Sequence, residues 1–205
     1  MKRILCIGDS NTWGYDPRSY YGSRYPGDVR WTGLLKQTGW DVLNFGENGM
    51  SVPGEYEYNR IGKCLQSSLP VTVISMMLGS NDILNGATAE QTAKKMERFL
   101  HLLKETVSDT AVILVAPPAM KQGTWVQSPA MTTESEKLAE MYRKLSEKEN
   151  VQFADAERWN VELTFDGVHF SPIGHSRFAD CFSHYMEAHF FLRAQTLLSV
   201  KVETL

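Results

Sequence analysis

Four short polar blocks of the sequence contain residue types that suit acyl transfer. Ser10 lies in GDSNTWGY, directly after the apolar run ILCIG, and Gly46 lies in NFGENGMS after a second apolar run. Asn81 lies in LGSND, and Asp166 and His169 lie together in FDGVHFS near the C-terminus. A serine nucleophile, amide donors for an oxyanion, and a histidine base oriented by an aspartate are the groups that this chemistry needs.

The elements around these blocks indicate how they could meet. The apolar runs predict strands at Lys2–Gly8, Asp41–Phe45, Val71–Leu78, Ala111–Ala116 and Val151–Ala154. Helical periodicity and capping residues predict helices at Val29–Thr38, Gly54–Ser67, Thr88–Val107, Ser128–Glu149 and Ser171–Leu192. This alternation predicts a parallel sheet with helices on both faces, in which functional groups gather at the carboxyl ends of the strands.

Length and charge exclude several classes of protein. A chain of 205 residues fits one domain, and we predict a single domain over 1–192 with a C-terminal tail at 193–205. The net charge of -3, with scattered Lys and Arg, predicts binding to neither nucleic acid nor an anionic membrane. The apolar part of MKRILCIGDS is shorter than the ~7–15 residues of a signal core, which predicts a cytoplasmic protein.

The four blocks, in this order and each after a predicted strand, resemble those of the SGNH hydrolases, also called GDSL esterases. The resemblance runs from residue 4 to about residue 180, and GDSNTWGY, LGSND, VAPP and DGVHFS resemble the arylesterase and acyltransferase branch. Asn11 stands where the GDSL name has Leu, at a position that is not catalytic in the family. The resemblance implies a three-layer, doubly wound α/β fold with a flavodoxin-like five-stranded parallel sheet, and no metal or organic cofactor.

The resemblance also implies a role for each residue. Ser10 would attack the ester carbonyl, His169 would act as base and then acid, and Asp166 would hold the imidazole tautomer. The amides of Ser10 and Gly46 and the side chain of Asn81 would bind the oxyanion. The familiar G-x-S-x-G signature is absent around Ser10, so an α/β-hydrolase is not indicated.

Alternatives remain for several of these residues. Gly49 competes with Gly46, and Asn81 sits among residues that also cap helices well. His175 lies six residues after His169, but only His169 has an aspartate at the right offset, so we expect His175 on a helix surface.

Aromatic residues suggest the substrate. Trp13 and Tyr15 follow the nucleophile closely, and Trp125 lies in the loop after the fourth predicted strand, so we expect these side chains to wall in a short acyl group. The leading hypothesis is therefore an esterase for short-chain esters, such as acetylated carbohydrates or aryl esters. The alternative is a non-catalytic module that binds a small molecule on the same fold. The aromatic segment at 15–31 further suggests a homo-oligomer.

Overall fold

The computed structural model describes residues 2–19, 21–107 and 110–191, which form five strands and seven α-helices. The strands are β1 Arg3–Gly8, β2 Asp41–Gly46, β3 Val73–Met77, β4 Ala111–Ala116 and β5 Gln152–Asp155. The helices are α1 Ser10–Trp13, α2 Trp31–Gln37, α3 Glu55–Ser68, α4 Ser80–Leu84, α5 Ala89–Thr106, α6 Pro129–Glu149 and α7 Pro172–Met186. A 3₁₀ turn, Ala156–Trp159, follows β5, and a π-helical turn, Glu187–Phe191, follows α7.

The strands form one parallel sheet in the order β2-β1-β3-β4-β5. The chain moves outward from β1 to β2 and then returns to the other side of β1 for the remaining strands. The strand order therefore reverses at β1, and a crevice forms at the carboxyl ends of β1 and β3. The doubly wound, flavodoxin-like α/β fold predicted from the sequence is confirmed.

Both faces of the sheet are covered, as β1 illustrates. Leu5 and Ile7 point into a cluster with residues of α3, α5 and α6, whereas Ile4 and Cys6 point into a second cluster with α2 and α7. All four side chains are almost completely buried. Burying a large aliphatic side chain contributes roughly 1.5–3 kcal/mol, so each strand is held in register by its contacts on both faces.

The predicted elements agree with the structure within two residues at most boundaries, but two short helices were missed. These are α1 and α4, which directly follow β1 and β3. Helices of four or five residues are too short to show an apolar period, and turn residues dominate both segments. These two helices hold Ser10 and Asn81 at the crevice.

The C-terminal tail predicted at 193–205 lies outside the described residues. In the aromatic segment, Tyr25 and Trp31 are buried within the chain itself, whereas Tyr21 is exposed. The predicted homo-oligomer stays a prediction, to be tested by sedimentation at micromolar concentration. Within the ranges that the structure describes, no helix combines the length and apolar character needed to cross a bilayer.

Candidate active site

Ser10 is the first residue of α1, directly beyond the carboxyl end of β1. Asp9 caps this helix, because its Oδ1 accepts a hydrogen bond of 2.9 Å from the Asn11 amide. Gly14 ends it in the left-handed conformation, with φ of 97°. This tight turn presents the Ser10 hydroxyl to the crevice, and its Oγ lies 2.9 Å from Nε2 of His169.

His169 and Asp166 belong to one tight turn before α7. Asp166 Oδ2 lies 2.6 Å from His169 Nδ1, and Asp166 Oδ1 accepts hydrogen bonds from the amides of Val168 and His169 and from the Thr164 hydroxyl, each at 2.9 Å. Burial disfavours the carboxylate, but the hydrogen bonds from His169 and from these amides outweigh it and lower the pKa of Asp166 to about 2. The carboxylate therefore stays ionised and holds the proton of the imidazole on Nδ1, which leaves Nε2 to accept from Ser10.

Asn81 lies at the start of α4, beyond the carboxyl end of β3. Its Nδ2 donates one hydrogen bond of 3.0 Å to the Met50 carbonyl, which leaves the second amide hydrogen for another acceptor. Gly79 occupies the cap position of α4, and no side chain caps that helix, so Asn81 does not act as a cap. Its side chain instead joins α4 to the loop after β2.

The two candidate glycines after β2 have different surroundings. The Gly46 amide donates a hydrogen bond of 2.9 Å to the Asn44 side chain. A Cβ on Gly46 would lie 2.2 Å from the Trp13 amide nitrogen, so glycine is required here for the packing of α1 against β2. Gly49 has φ of 76°, is exposed, and directly precedes the Met50 carbonyl that binds Asn81. In the described part of the chain, the Gly49 amide has no acceptor.

Two of the three predicted aromatic residues contact the imidazole of His169. The ring centroids of Tyr15 and Trp125 lie 4.7 Å and 4.8 Å from that of His169, and Trp125 is 49% exposed. Trp13 does not share this position, because its ring lies against the guanidinium of Arg24, 5.1 Å away. The structure thus places Tyr15 and Trp125 against His169, whereas the role predicted for Trp13 beside the acyl group stays a prediction.

Two buried aspartates hold together the backbone segments around Ser10 and Asn81. Asp9 is 2% exposed, and burial raises its pKa to about 6, although the hydrogen bond from Asn11 opposes this shift. Asp82 is equally buried and accepts hydrogen bonds from the Val52 amide at 2.8 Å and from Lys95 at 2.9 Å. Both carboxylates bind segments of the chain around the site, and neither contacts Ser10 Oγ.

The expectation that His175 lies on a helix surface was wrong. It is fully buried in the first turn of α7, and its Nδ1 accepts a hydrogen bond of 3.3 Å from the Trp31 amide. Burial lowers the pKa of His175 to about 3, so the ring stays neutral. The side chain is buried because α7 packs against α2, a contact that the sequence near His175 does not reveal.

One group of potential metal ligands occurs among the described residues: Glu97, His101 and Glu149. Glu149 lies near the amino ends of β4 and β5, whereas Ser10 lies beyond the carboxyl end of β1. Lys148 pairs with Glu97, and Lys104 lies 2.8 Å from Glu149. Both carboxylates are therefore already neutralised by lysines, and the group has no contact with the crevice.

Comparisons with known proteins agree with this fold. Residues 6–177 match the model of the GDSL-like lipase/acylhydrolase family, so the chain belongs to that family, as predicted from the four blocks. Similar solved structures include an aryl esterase from M. smegmatis, at 25% identity and a TM-score of 0.82, covering 92% of this chain and 99% of that one. No curated protein matches the chain.

Two other solved structures are comparably similar. A carbohydrate acetylesterase family member from Sinorhizobium meliloti is 25% identical, with a TM-score of 0.80, and the match covers 92% of this chain and 98% of that one. A putative arylesterase from Agrobacterium tumefaciens is 26% identical, with a TM-score of 0.79, and coverage of 92% and 99%. These similarities support a hydrolase.

Proposed function

We propose that this chain is a serine esterase that hydrolyses short-chain carboxylic esters through an acyl-serine intermediate. The observation that carries the proposal is the continuous hydrogen-bonded chain from Ser10 Oγ through His169 to Asp166, at 2.9 Å and 2.6 Å. These three side chains are at most 5% exposed, which strengthens their electrostatic interactions. Membership of an acylhydrolase family supports the same chemistry.

The geometry suggests the following sequence of steps. Ser10 Oγ attacks the ester carbonyl carbon while its proton passes to Nε2 of His169, and Asp166 stabilises the imidazolium that forms. The imidazolium then donates this proton to the leaving alcohol, which gives acyl-Ser10. Water then attacks the acyl-serine while His169 takes its proton, and the imidazolium donates that proton to Ser10 Oγ as the acyl–oxygen bond breaks, which releases the acid and free Ser10.

The attack by Ser10 places negative charge on the ester carbonyl oxygen, and this oxyanion needs hydrogen-bond donors on the side of Ser10 away from His169. We assign the Ser10 amide and the remaining Nδ2 hydrogen of Asn81 to this role. The third donor was predicted to be the Gly46 amide, but that amide already donates a hydrogen bond to the Asn44 side chain. The Gly49 amide has no such bond to any described residue, and it precedes Met50, whose carbonyl binds Asn81. We therefore propose Gly49 in its place.

The position of the aromatic residues suggests the alcohol part of the substrate. The leaving oxygen must approach His169 Nε2, because that atom returns the proton. Side chains that contact the imidazole therefore line the part of the site that holds the alcohol group of the ester. The sequence had led us to expect them around the acyl group. Tyr15 and Trp125 hold this position, and the exposed part of Trp125 offers an apolar face to a phenyl or sugar ring.

A chromogenic acetate ester and a serine-directed organophosphonate test the proposal. We expect turnover by the wild-type protein, stoichiometric labelling that abolishes it, and loss of both in Ser10→Ala. Ser67→Ala, which removes an exposed hydroxyl on α3, is the matched control and should behave as wild type. A protein that is neither active nor labelled would instead support the alternative of a non-catalytic binding module.

A further inference from the structure

Asn11, the residue after the nucleophile, has a side chain that none of the proposed catalytic steps uses. It is the second residue of α1 and is 4% exposed. A buried amide side chain is costly unless its donor and acceptor are both satisfied. Both are satisfied here, and the partners belong to the turn that carries His169.

The side chain of Asn11 binds the chain on either side of His169. Its Nδ2 donates a hydrogen bond of 3.1 Å to the carbonyl of Val168, and its Oδ1 accepts one of 2.8 Å from the amide of Phe170. The partners lie 157 and 159 residues away along the sequence. The Asn11 side chain thus binds the backbone before and after His169, in the way that a neighbouring β-strand pairs with a strand.

These bonds have a role that the Asp166–His169 pair cannot fill. Asp166 is three residues from His169 and orients the ring within its own turn. That pair does not determine how far the turn lies from Ser10. In the residues that the structure describes, the two bonds of Asn11 are the only hydrogen bonds between α1 and this turn besides that of Ser10 itself.

We propose that Asn11 is a positioning residue that sets the distance between Ser10 Oγ and His169 Nε2 by holding the backbone on both sides of His169. This inference rests on the proposed esterase function. Asparagine suits the position because it presents one donor and one acceptor in a plane, whereas aspartate offers only acceptors and leucine offers neither. Misplacing a reacting group by about 1 Å can cost 10²-fold in rate, so loss of the two Asn11 hydrogen bonds should slow proton transfer from Ser10 to His169.

Two substitutions separate the bonds from the packing. Asn11→Leu has a side chain of similar size and removes both hydrogen bonds. Asn11→Asp keeps the size and the acceptor toward Phe170 but places an oxygen against the Val168 carbonyl. We expect either change to lower kcat about 10- to 100-fold, with KM within twofold of wild type.

The measurement is kcat per reactive serine, counted by intact mass after long incubation with the organophosphonate. Because only folded molecules react with the organophosphonate, dividing the rate by this count corrects kcat for any unfolded protein in the sample. A second readout is the downfield proton resonance of the short hydrogen bond between His169 and Asp166, which both variants should keep because that bond is made within the turn. Thr88→Ala, which removes the side-chain cap of α5 far from the site, is the control and should lose stability but keep kcat per reactive serine.

The outcomes are distinct. A fall in kcat per reactive serine, with the downfield resonance retained, supports the positioning role. Unchanged kcat per reactive serine, or a loss carried by KM alone, overturns it. Loss of the resonance together with activity also overturns it, because Asn11 would then be needed for the fold of the turn. A wild-type protein without activity or labelling overturns the proposed function itself.

Discussion

Trp125→Ala is expected to reduce the activity on aryl esters more than the activity on alkyl esters. The indole ring meets the His169 imidazole edge-on at 4.8 Å, and half of its surface remains exposed at the mouth of the site. An aromatic leaving group can pack on that exposed part, whereas an ethyl group covers little of it. Contacts between aromatic rings contribute about 0.5–1.5 kcal/mol beyond area burial, which corresponds to roughly 2- to 10-fold in kcat/KM.

The assay compares kcat/KM for phenyl acetate and ethyl acetate. Each variant is divided by wild type for the same ester, so the different chemical reactivities of the esters cancel. We expect the loss on phenyl acetate to exceed the loss on ethyl acetate by the factor above. Tyr56→Ala, which removes an exposed aromatic ring on α3, is the control and should leave the ratio unchanged.

Two results would refute this reasoning. Equal losses on both esters would mean that Trp125 supports His169 but does not contact the alcohol. Suppose instead that Trp125→Ala changes how kcat/KM depends on acyl length, from acetate to octanoate esters, but does not change the ratio between aryl and alkyl esters. That result would place Trp125 beside the acyl group. The latter was the expectation from the sequence, so the experiment decides between the two assignments.

Three further predictions follow from the site. Asp166→Asn should lower kcat about 10⁴-fold while the protein stays folded, because the imidazole of His169 would take the wrong tautomer; melting curves and steady-state kinetics check this. Asn81→Ala should lower kcat about 10²–10³-fold through one lost oxyanion donor and lower stability by only about 1 kcal/mol through the lost bond to Met50, and the reverse pattern would make its role structural. Burial raises the pKa of Asp9 from 3.8 to about 6, so the native state holds this proton more tightly, and the stability that Asp9 itself contributes is lost as pH rises from about 4 to 6. Urea unfolding should therefore show Asp9→Asn gaining about 2 kcal/mol on wild type between pH 4 and pH 7, and a gap independent of pH would contradict the assignment.

The parts of the site that could be predicted from the sequence are those that directly follow a strand. Ser10 and Asn81 lie two and four residues beyond β1 and β3, so the parallel sheet alone brings them to one edge. The Asp166–His169 pair could be predicted as well, because its spacing of three residues allows the hydrogen bond to form within one turn. For these residues, local sequence and strand order determine the position.

Other features depend on contacts between distant segments. Gly46 was preferred to Gly49, but β2 extends through Gly46, where a Cβ would collide with α1, so that glycine has a packing reason of its own. His175 was expected at a surface, and its burial depends on where α7 meets α2. Asn11 was treated as a position without a role in chemistry, and its partners lie more than 150 residues away. No pattern of neighbouring residues encodes such contacts.

The turn that carries His169 is held from two directions, and this explains how Ser10 and His169, 159 residues apart, reach hydrogen-bonding distance. On one side Asn11 binds the backbone before and after His169. On the other side the loop after β4 crosses the turn so closely that a Cβ on Gly123 would lie 2.4 Å from the carbonyl carbon of Asp166, and the Trp125 amide donates to the Asp166 carbonyl at 3.2 Å. The same loop therefore places Trp125 beside the imidazole. Alterations of this loop should change both the placement of the base and the fit of the alcohol, whereas changes at Asn11 should affect the placement of the base alone.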